Sequence, residues 1–150
     1  MIAGQKQAFI AWRGTRLARR FEYAASLDGE GRLLAGGESP LEPGEGWSAE
    51  HLVLAGLMRC TLTSLAFHAE RRSVSVRGRA DAQAVVTKRE EDGRYALVEI
   101  ECGLDVELEP LPEDDALAEL LALAERDCFV GASLTAPPRY EWRVNGEVVS

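Results

Sequence analysis

Ser48-Ala49-Glu50-His51-Leu52-Val53-Leu54-Ala55-Gly56-Leu57-Met58-Arg59-Cys60 opens the stretch that decides the fold. From Ala49 to about Glu70 there is no proline, and only Gly56 interrupts good helix formers. Ser48 suits the N-cap, where its hydroxyl can accept a bond from an unpaired amide, and Glu50 places a carboxylate at the positive end of the helix dipole. Leu52, Val53, Leu54, Leu57, Met58, Leu62, Leu65, Ala66 and Phe67 leave few polar positions. A helix apolar around most of its circumference is a buried helix. The pattern predicts a central core helix with Cys60 at its middle.

Outward from this helix the chain reads as strands. Gln7–Trp12 and Leu17–Leu27 are apolar and aromatic runs broken by Gly14. Asp28-Gly29-Glu30-Gly31 is a hairpin turn leading into Arg32–Ala35. Positions 36 to 46 hold four glycines and two prolines and predict a loop. Beyond the helix, Ser73–Thr87 and Tyr95–Glu109 alternate in character and are rich in valine, so they predict two long strands joined around Glu90–Arg94. Pro110 and Pro112 precede Asp114 and Asp115, which open a second helix with Leu117, Leu120, Leu121 and Ala124 on one face. That helix runs out near Asp127, leaving Cys128 at its C-terminal end, and Arg139–Val149 reads as a closing strand. The fold class is α+β, with antiparallel strands wrapped around two helices, in one domain spanning 1–150.

The composition narrows the function. Apolar residues make up 46% and charged residues 28% of the 150 positions, the balance of a globular protein. The net charge is −8, from 25 acids against 17 bases, which argues against nucleic acid or an anionic membrane as partner despite Arg13, Arg16, Arg19 and Arg20 near the N-terminus. No apolar run approaches the roughly 20 residues of a membrane span, and the N-terminus does not read as a signal peptide, so the expected location is the cytoplasm. Cysteines stand at 60, 102 and 128, without a CxxC pair or a Cys/His cluster, so no metal is expected.

Free cysteine is among the most buried residue types, and packing is the ordinary role of one in a core helix or an apolar strand. Arg59 beside Cys60 points towards chemistry, because a neighbouring cation favours the thiolate. Cys128, before the small residues Val130-Gly131-Ala132-Ser133, sits where a mobile thiol could meet a sulfenic acid. His51 and His68 lie nine and eight residues from Cys60, neither a whole number of turns, so neither contacts it in a straight helix. His51 reads as a surface or interface residue. No GxSxG supports a serine hydrolase.

The segment Ser48 to Gly56 followed by Cys60 resembles the helix-opening signature of the OsmC/Ohr family, an Asn-Pro-Glu-x-Leu start leading through Ala-Gly to a reactive cysteine. Ala124-Glu125-Arg126-Asp127-Cys128-Phe129-Val130-Gly131-Ala132-Ser133-Leu134 resembles that family's Ala-Glu-x-x-Cys-Pro-Val-Ser-x-Ser-Leu stretch. The order of elements is similar over nearly the whole chain. The resemblance implies an OsmC-like fold, an intertwined homodimer with sites built from both subunits, and peroxidase activity towards organic hydroperoxides, with hydrogen peroxide as a further candidate substrate. It implies that Cys60 attacks the peroxide, that Cys128 condenses with the resulting sulfenic acid, and that an external thiol reduces the disulfide, with no cofactor. It further implies that Glu50 and an N-terminal arginine hold the thiolate, an Arg–carboxylate pair being able to fix the guanidinium in place. Counting back from the turn favours Arg19, with Arg16 and Arg20 next.

Four departures mark a divergent branch: Ser48 for Asn, Ala49 for Pro, Phe129 for Pro, and a bulky Arg59 before the cysteine. They leave open an OsmC-like binding or stress-related protein with weak or no peroxidase activity. A general thiol–disulfide oxidoreductase is a third reading, and the missing CxxC speaks against it.

Overall fold

The computed structural model describes residues 6–12, 16–36 and 47–149. The glycine-rich stretch 37–46 lies outside them, as do the side chains of Arg13, Arg16 and Arg19. In chain order the elements are β1 (Lys6–Trp12), β2 (Arg16–Leu27), β3 (Leu33–Ala35), α1 (Ala49–Glu70), β4 (Ser75–Lys88), β5 (Tyr95–Glu109), α2 (Asp114–Arg126), α3 (Phe129–Ser133), β6 (Arg139–Val144) and β7 (Glu147–Val149). The α+β class predicted from the pattern is the one observed. The long hairpin and the second helix fall where the alternation and the Pro110–Pro112 punctuation place them.

The strands form one sheet in the order β1-β2-β4-β5-β6-β7, with β3 alongside β2. Every pair is antiparallel except β5 and β6. A parallel pair needs a crossover rather than a tight turn, and α2 with α3 supplies it. The single closing strand expected over Arg139–Val149 splits in two at Asn145-Gly146, both at positive φ, the dipeptide that favours a tight hairpin turn.

One face of the sheet carries Ala80, Ala82, Ala84, Cys102, Leu104, Val106 and Leu108, all buried, while Asp81, Gln83, Glu101 and Asp105 alternate onto the other. The two-residue period of a strand permits this division. The small alanines of β4 let α1 lie close, and Leu54, Leu57, Met58 and Leu65 of α1 are fully buried. Each such side chain stabilises the fold by about 1.5–3 kcal/mol relative to leaving it in water. Helix α2 adds Leu120 and Ala124 to the same core, and the Trp142 indole N–H of β6 donates to Glu125 Oε1 at 2.8 Å.

Three expectations about α1 need correction. The helix is buried along one side only. Leu52, Arg59, Thr63, Ala66 and Phe67 are exposed, and Cys60 lies at the margin, half-buried. By length and composition Ala49–Glu70 could also cross a membrane, contrary to the expectation that no segment comes near this; half of its most apolar window is packed inside the fold, the position of a core helix. His51, expected at a surface or an interface, is 0% exposed within the single chain. Its Nδ1 accepts from the Ser48 amide at 3.0 Å while Ser48 Oγ accepts from the His51 amide, so histidine takes the place usually held by Glu or Gln in a capping box. Its ring packs edge-on against Tyr23 and Trp47.

Candidate active site

The short helix α3 decides the geometry. Asp127 ends α2, and Cys128 is the N-cap of α3, so the chain turns sharply at the second cysteine and lays α3 against α1. The backbone N–H of Val130 donates to Cys60 Sγ at 3.5 Å, and that of Gly131 donates to Cys128 Sγ at 3.4 Å. Adjacent amides of α3 thus hold both sulfurs, and Cys60 feels the charge of Cys128. Cys60 and Cys128, far apart in sequence, therefore share one site. Cys128 is 0% exposed and Cys60 is not, so only Cys60 can be reached from solvent.

Burial pushes the Cys60 thiol above its ordinary range. The Val130 amide works against this, and the Phe129 amide adds to it more weakly. Phe129 stands where the resembled motif has proline, and proline has no N–H to offer. The departure thus adds a donor aimed at the thiol. The Cys128 thiol, by bonding to Cys60 and by its own charge, pushes Cys60 up further.

Arg59 does not act as the sequence leads one to expect. Its guanidinium reaches the Gly31 carbonyl at 3.4 Å, and among the described residues the influences on Cys60 include no cation. Glu50 is not brought to Cys60 either. Ten residues separate them on one helix, about 15 Å of rise, and the groups that feel the Glu50 charge are Tyr23 and His51. Arg19 pairs with Phe9 across β1 and β2, but its side chain lies outside the described residues. Arg20 pairs with Glu22 at 3.3 Å and Glu99 at 3.9 Å.

Residues that the sequence did not single out surround Cys128. Thr61 Oγ1 lies 3.3 Å from Cys128 Sγ and donates its one hydrogen to the Leu57 carbonyl at 2.9 Å. With that hydrogen used, Thr61 receives the Cys128 S–H. The hydroxyl of the half-buried Tyr140 of β6 borders the same space beside Gly131 as Cys128 Sγ, and it is held above the ordinary phenol range, chiefly by burial. Cys102 faces Tyr140 across β5 and β6. His68 Nε2 and Asp127 Oδ2 are 2.7 Å apart, tying the end of α1 to the residue before Cys128, and Arg126 donates twice to the same carboxylate. Thr61 had a faint signal, as a hydroxyl next to a candidate nucleophile. Tyr140 and the His68–Asp127 pair had none, because they meet the site only through tertiary packing.

The profile of the family described as OsmC-like protein matches residues 42–143, about two thirds of the sequence and both cysteine segments. The chain belongs to the OsmC-like family. No curated protein matches it in sequence. The OsmC-like fold is shared with an OsmC-like protein of unknown function from Vibrio cholerae, at 15% identity and TM-score 0.59, covering 91% of this chain and 98% of that one. An OsmC-like protein from Mycoplasma pneumoniae aligns at 13% identity and TM-score 0.58, covering 81% and 94%. An OsmC-like hydroperoxide resistance protein from Jannaschia aligns at 18% identity and TM-score 0.52, covering 89% and 99%. At these identities the likeness concerns the fold alone, and the family includes proteins named for hydroperoxide resistance.

Cys102 of this OsmC-like chain supports a prediction about stability. Burial holds its thiol up to about 12, from an ordinary 9.0. Between those pH values the unfolded chain has lost the proton and the folded chain keeps it, so the folded state binds more protons and stability falls as pH rises. Urea midpoints measured from pH 8 to pH 11 are expected to fall more steeply for the wild type than for Cys102→Ala. Parallel curves would show that Cys102 does not titrate in this way.

Proposed function

We propose that this OsmC-like chain is a thiol-dependent peroxidase that reduces organic hydroperoxides. What supports the reading is the pairing of a reachable Cys60 with a buried Cys128, their sulfurs held by adjacent amides of α3. Cys60 acts as the attacking thiolate: its sulfur takes the distal peroxide oxygen, an alcohol leaves, and a sulfenic acid forms. Cys128 then displaces that oxygen as water and closes a disulfide, which an external thiol reduces.

The single chain offers Cys60 two amides but no cation among its described residues, and burial holds the thiol protonated. A homodimer completes the site in this proposal. The exposed strip of α1 beside Cys60, with Leu52 and Phe67, meets a second copy, which brings Glu50 and Arg19 to the thiol. That pair then lowers the Cys60 pKa and polarises the peroxide. The protein works in the cytoplasm, without a bound cofactor.

The raised Cys60 thiol equally favours a second reading, an OsmC-like protein that has kept the fold and lost the activity. One experiment separates the two: the reduced protein is treated with one equivalent of cumene hydroperoxide and its disulfides are mapped by mass spectrometry. The peroxidase forms a Cys60–Cys128 bond as peroxide disappears. Unconsumed peroxide with three free thiols would leave the second reading standing.

A further inference from the structure

The seat of Cys128 is more elaborate than packing requires. A Cβ on Gly131 would stand 2.5 Å from the Tyr140 hydroxyl and 3.4 Å from Cys128 Sγ. A real side chain atom cannot approach an oxygen so closely, so the phenol occupies the space that a residue with a side chain at position 131 would need. The same bare backbone leaves the Gly131 N–H free to reach the sulfur at 3.4 Å. The Tyr140 hydroxyl comes in from β6 beside Gly131, and Thr61 Oγ1 reaches the sulfur at 3.3 Å from α1. Three elements, α1, α3 and β6, thus converge on one buried sulfur.

We propose that Tyr140 is a catalytic residue of the resolving step, its hydroxyl holding the Cys128 sulfur and stabilising it as a thiolate while it attacks Cys60. This deepens the peroxidase reading and rests on it. In that step the Cys128 S–H bond and the Cys60 S–O bond break and one S–S bond forms. The thiol proton leaves with the hydroxide as water, so the sulfenic acid supplies the oxidising equivalent and no other reactant is needed. Cys128 is shut off from water, so any charge that develops on its sulfur must be met by fixed donors. The Gly131 N–H is one and the Tyr140 O–H is the other. Thr61 is engaged with Leu57 and serves as the acceptor of the resting S–H.

Tyr140→Phe removes one oxygen and keeps the ring. Stopped-flow measurement on the full chain is expected to show the first equivalent of peroxide consumed at the wild-type rate. Disulfide closure is expected to slow by about 10- to 100-fold, the effect of losing a hydrogen bond to a charged group. The sulfenic acid on Cys60 then accumulates and is trapped by dimedone. The pH profile of closure moves to higher pH, which a packing defect alone does not produce. Gly131→Ala, whose Cβ displaces the hydroxyl, gives the same two changes by a separate route.

A readout independent of peroxide completes the test. In a Cys60→Ser/Cys102→Ala background, the carbon-13 shift of the Cys128 β-carbon followed against pH, which needs no reagent to enter, has its midpoint raised by Tyr140→Phe. An unmoved midpoint overturns the assignment, as does slowed closure with an unmoved profile. If wild-type protein ignores peroxide while the Cys128 midpoint still shifts, it is the peroxidase reading that fails, and the hold of Tyr140 on Cys128 stands.

Discussion

Replacing Cys60 with serine is expected to abolish peroxide consumption, a loss of more than about 10³-fold, since removing a nucleophile closes the covalent route altogether. Serine keeps the size and position of the side chain, so the half-buried place on α1 and the Val130 amide are retained. A hydroxyl at that place is not ionised at neutral pH, and the thiolate is the species that attacks. Cys128 does not substitute for it, being fully buried beneath α3. The contrast with Cys128→Ser sharpens the test. That variant is expected to consume one equivalent of cumene hydroperoxide and then stall, with Cys60 oxidised to sulfenic acid and beyond during repeated exposure. A ferrous–xylenol orange assay of residual peroxide, with intact-mass analysis of each protein, reads both outcomes. Full turnover by Cys60→Ser would transfer the chemistry to another residue and overturn the proposed mechanism.

Leu57→Ala is expected to cost about 2–5 kcal/mol of stability, the range for truncating a fully buried leucine whose surroundings relax only in part. Leu57 is 0% exposed on the sheet-facing side of α1, and its Cδ1 lies 3.6 Å from the point where a Gly131 side chain would begin. The cavity therefore opens between α1 and α3, beneath the turn that carries Cys128. Two changes are expected together: a lower urea midpoint by far-ultraviolet circular dichroism, and slower closure of the Cys60–Cys128 disulfide at urea concentrations where the protein remains folded. A loss well under 1 kcal/mol would mean that α3 does not pack on α1 as described. Leu52→Ala, on the exposed strip of the same helix, serves as the control for monomer stability.

Much of the architecture was legible because it rests on local rules. The alternation in Tyr95–Glu109 needs only the two-residue period of a strand, and that strand begins and ends where the alternation does. Pro110 and Pro112 with Asp114 and Asp115 mark the start of α2 through backbone geometry and dipole alone. Other features were not legible for equally physical reasons. Helix α3 is five residues long, too short for periodicity to register, yet its amides reach both thiols. The apolar circumference of α1 predicts burial on all sides, and only the packed chain shows one side uncovered. His51 read as a surface or interface residue because its spacing keeps it from Cys60; here it caps the helix and packs edge-on against Tyr23 and Trp47.

The stretch from Ser48 to Cys60 determined by itself that a long capped helix would carry a cysteine at its middle, because helix capping and propensity act over a few neighbouring residues. The segment around Cys128 likewise placed a second cysteine at a helix end. Tertiary structure alone decided that one short helix reaches both thiols, that Cys60 is the one open to solvent, and that Thr61, Gly131 and Tyr140 border the other. It also decided that Arg59 serves the Gly31 carbonyl rather than its neighbour. The reason lies in range. A thiol's reactivity depends on burial and on donors within a few ångströms, and for Cys60 and Cys128 those donors come from segments that only the crossover of α2 and α3 brings together.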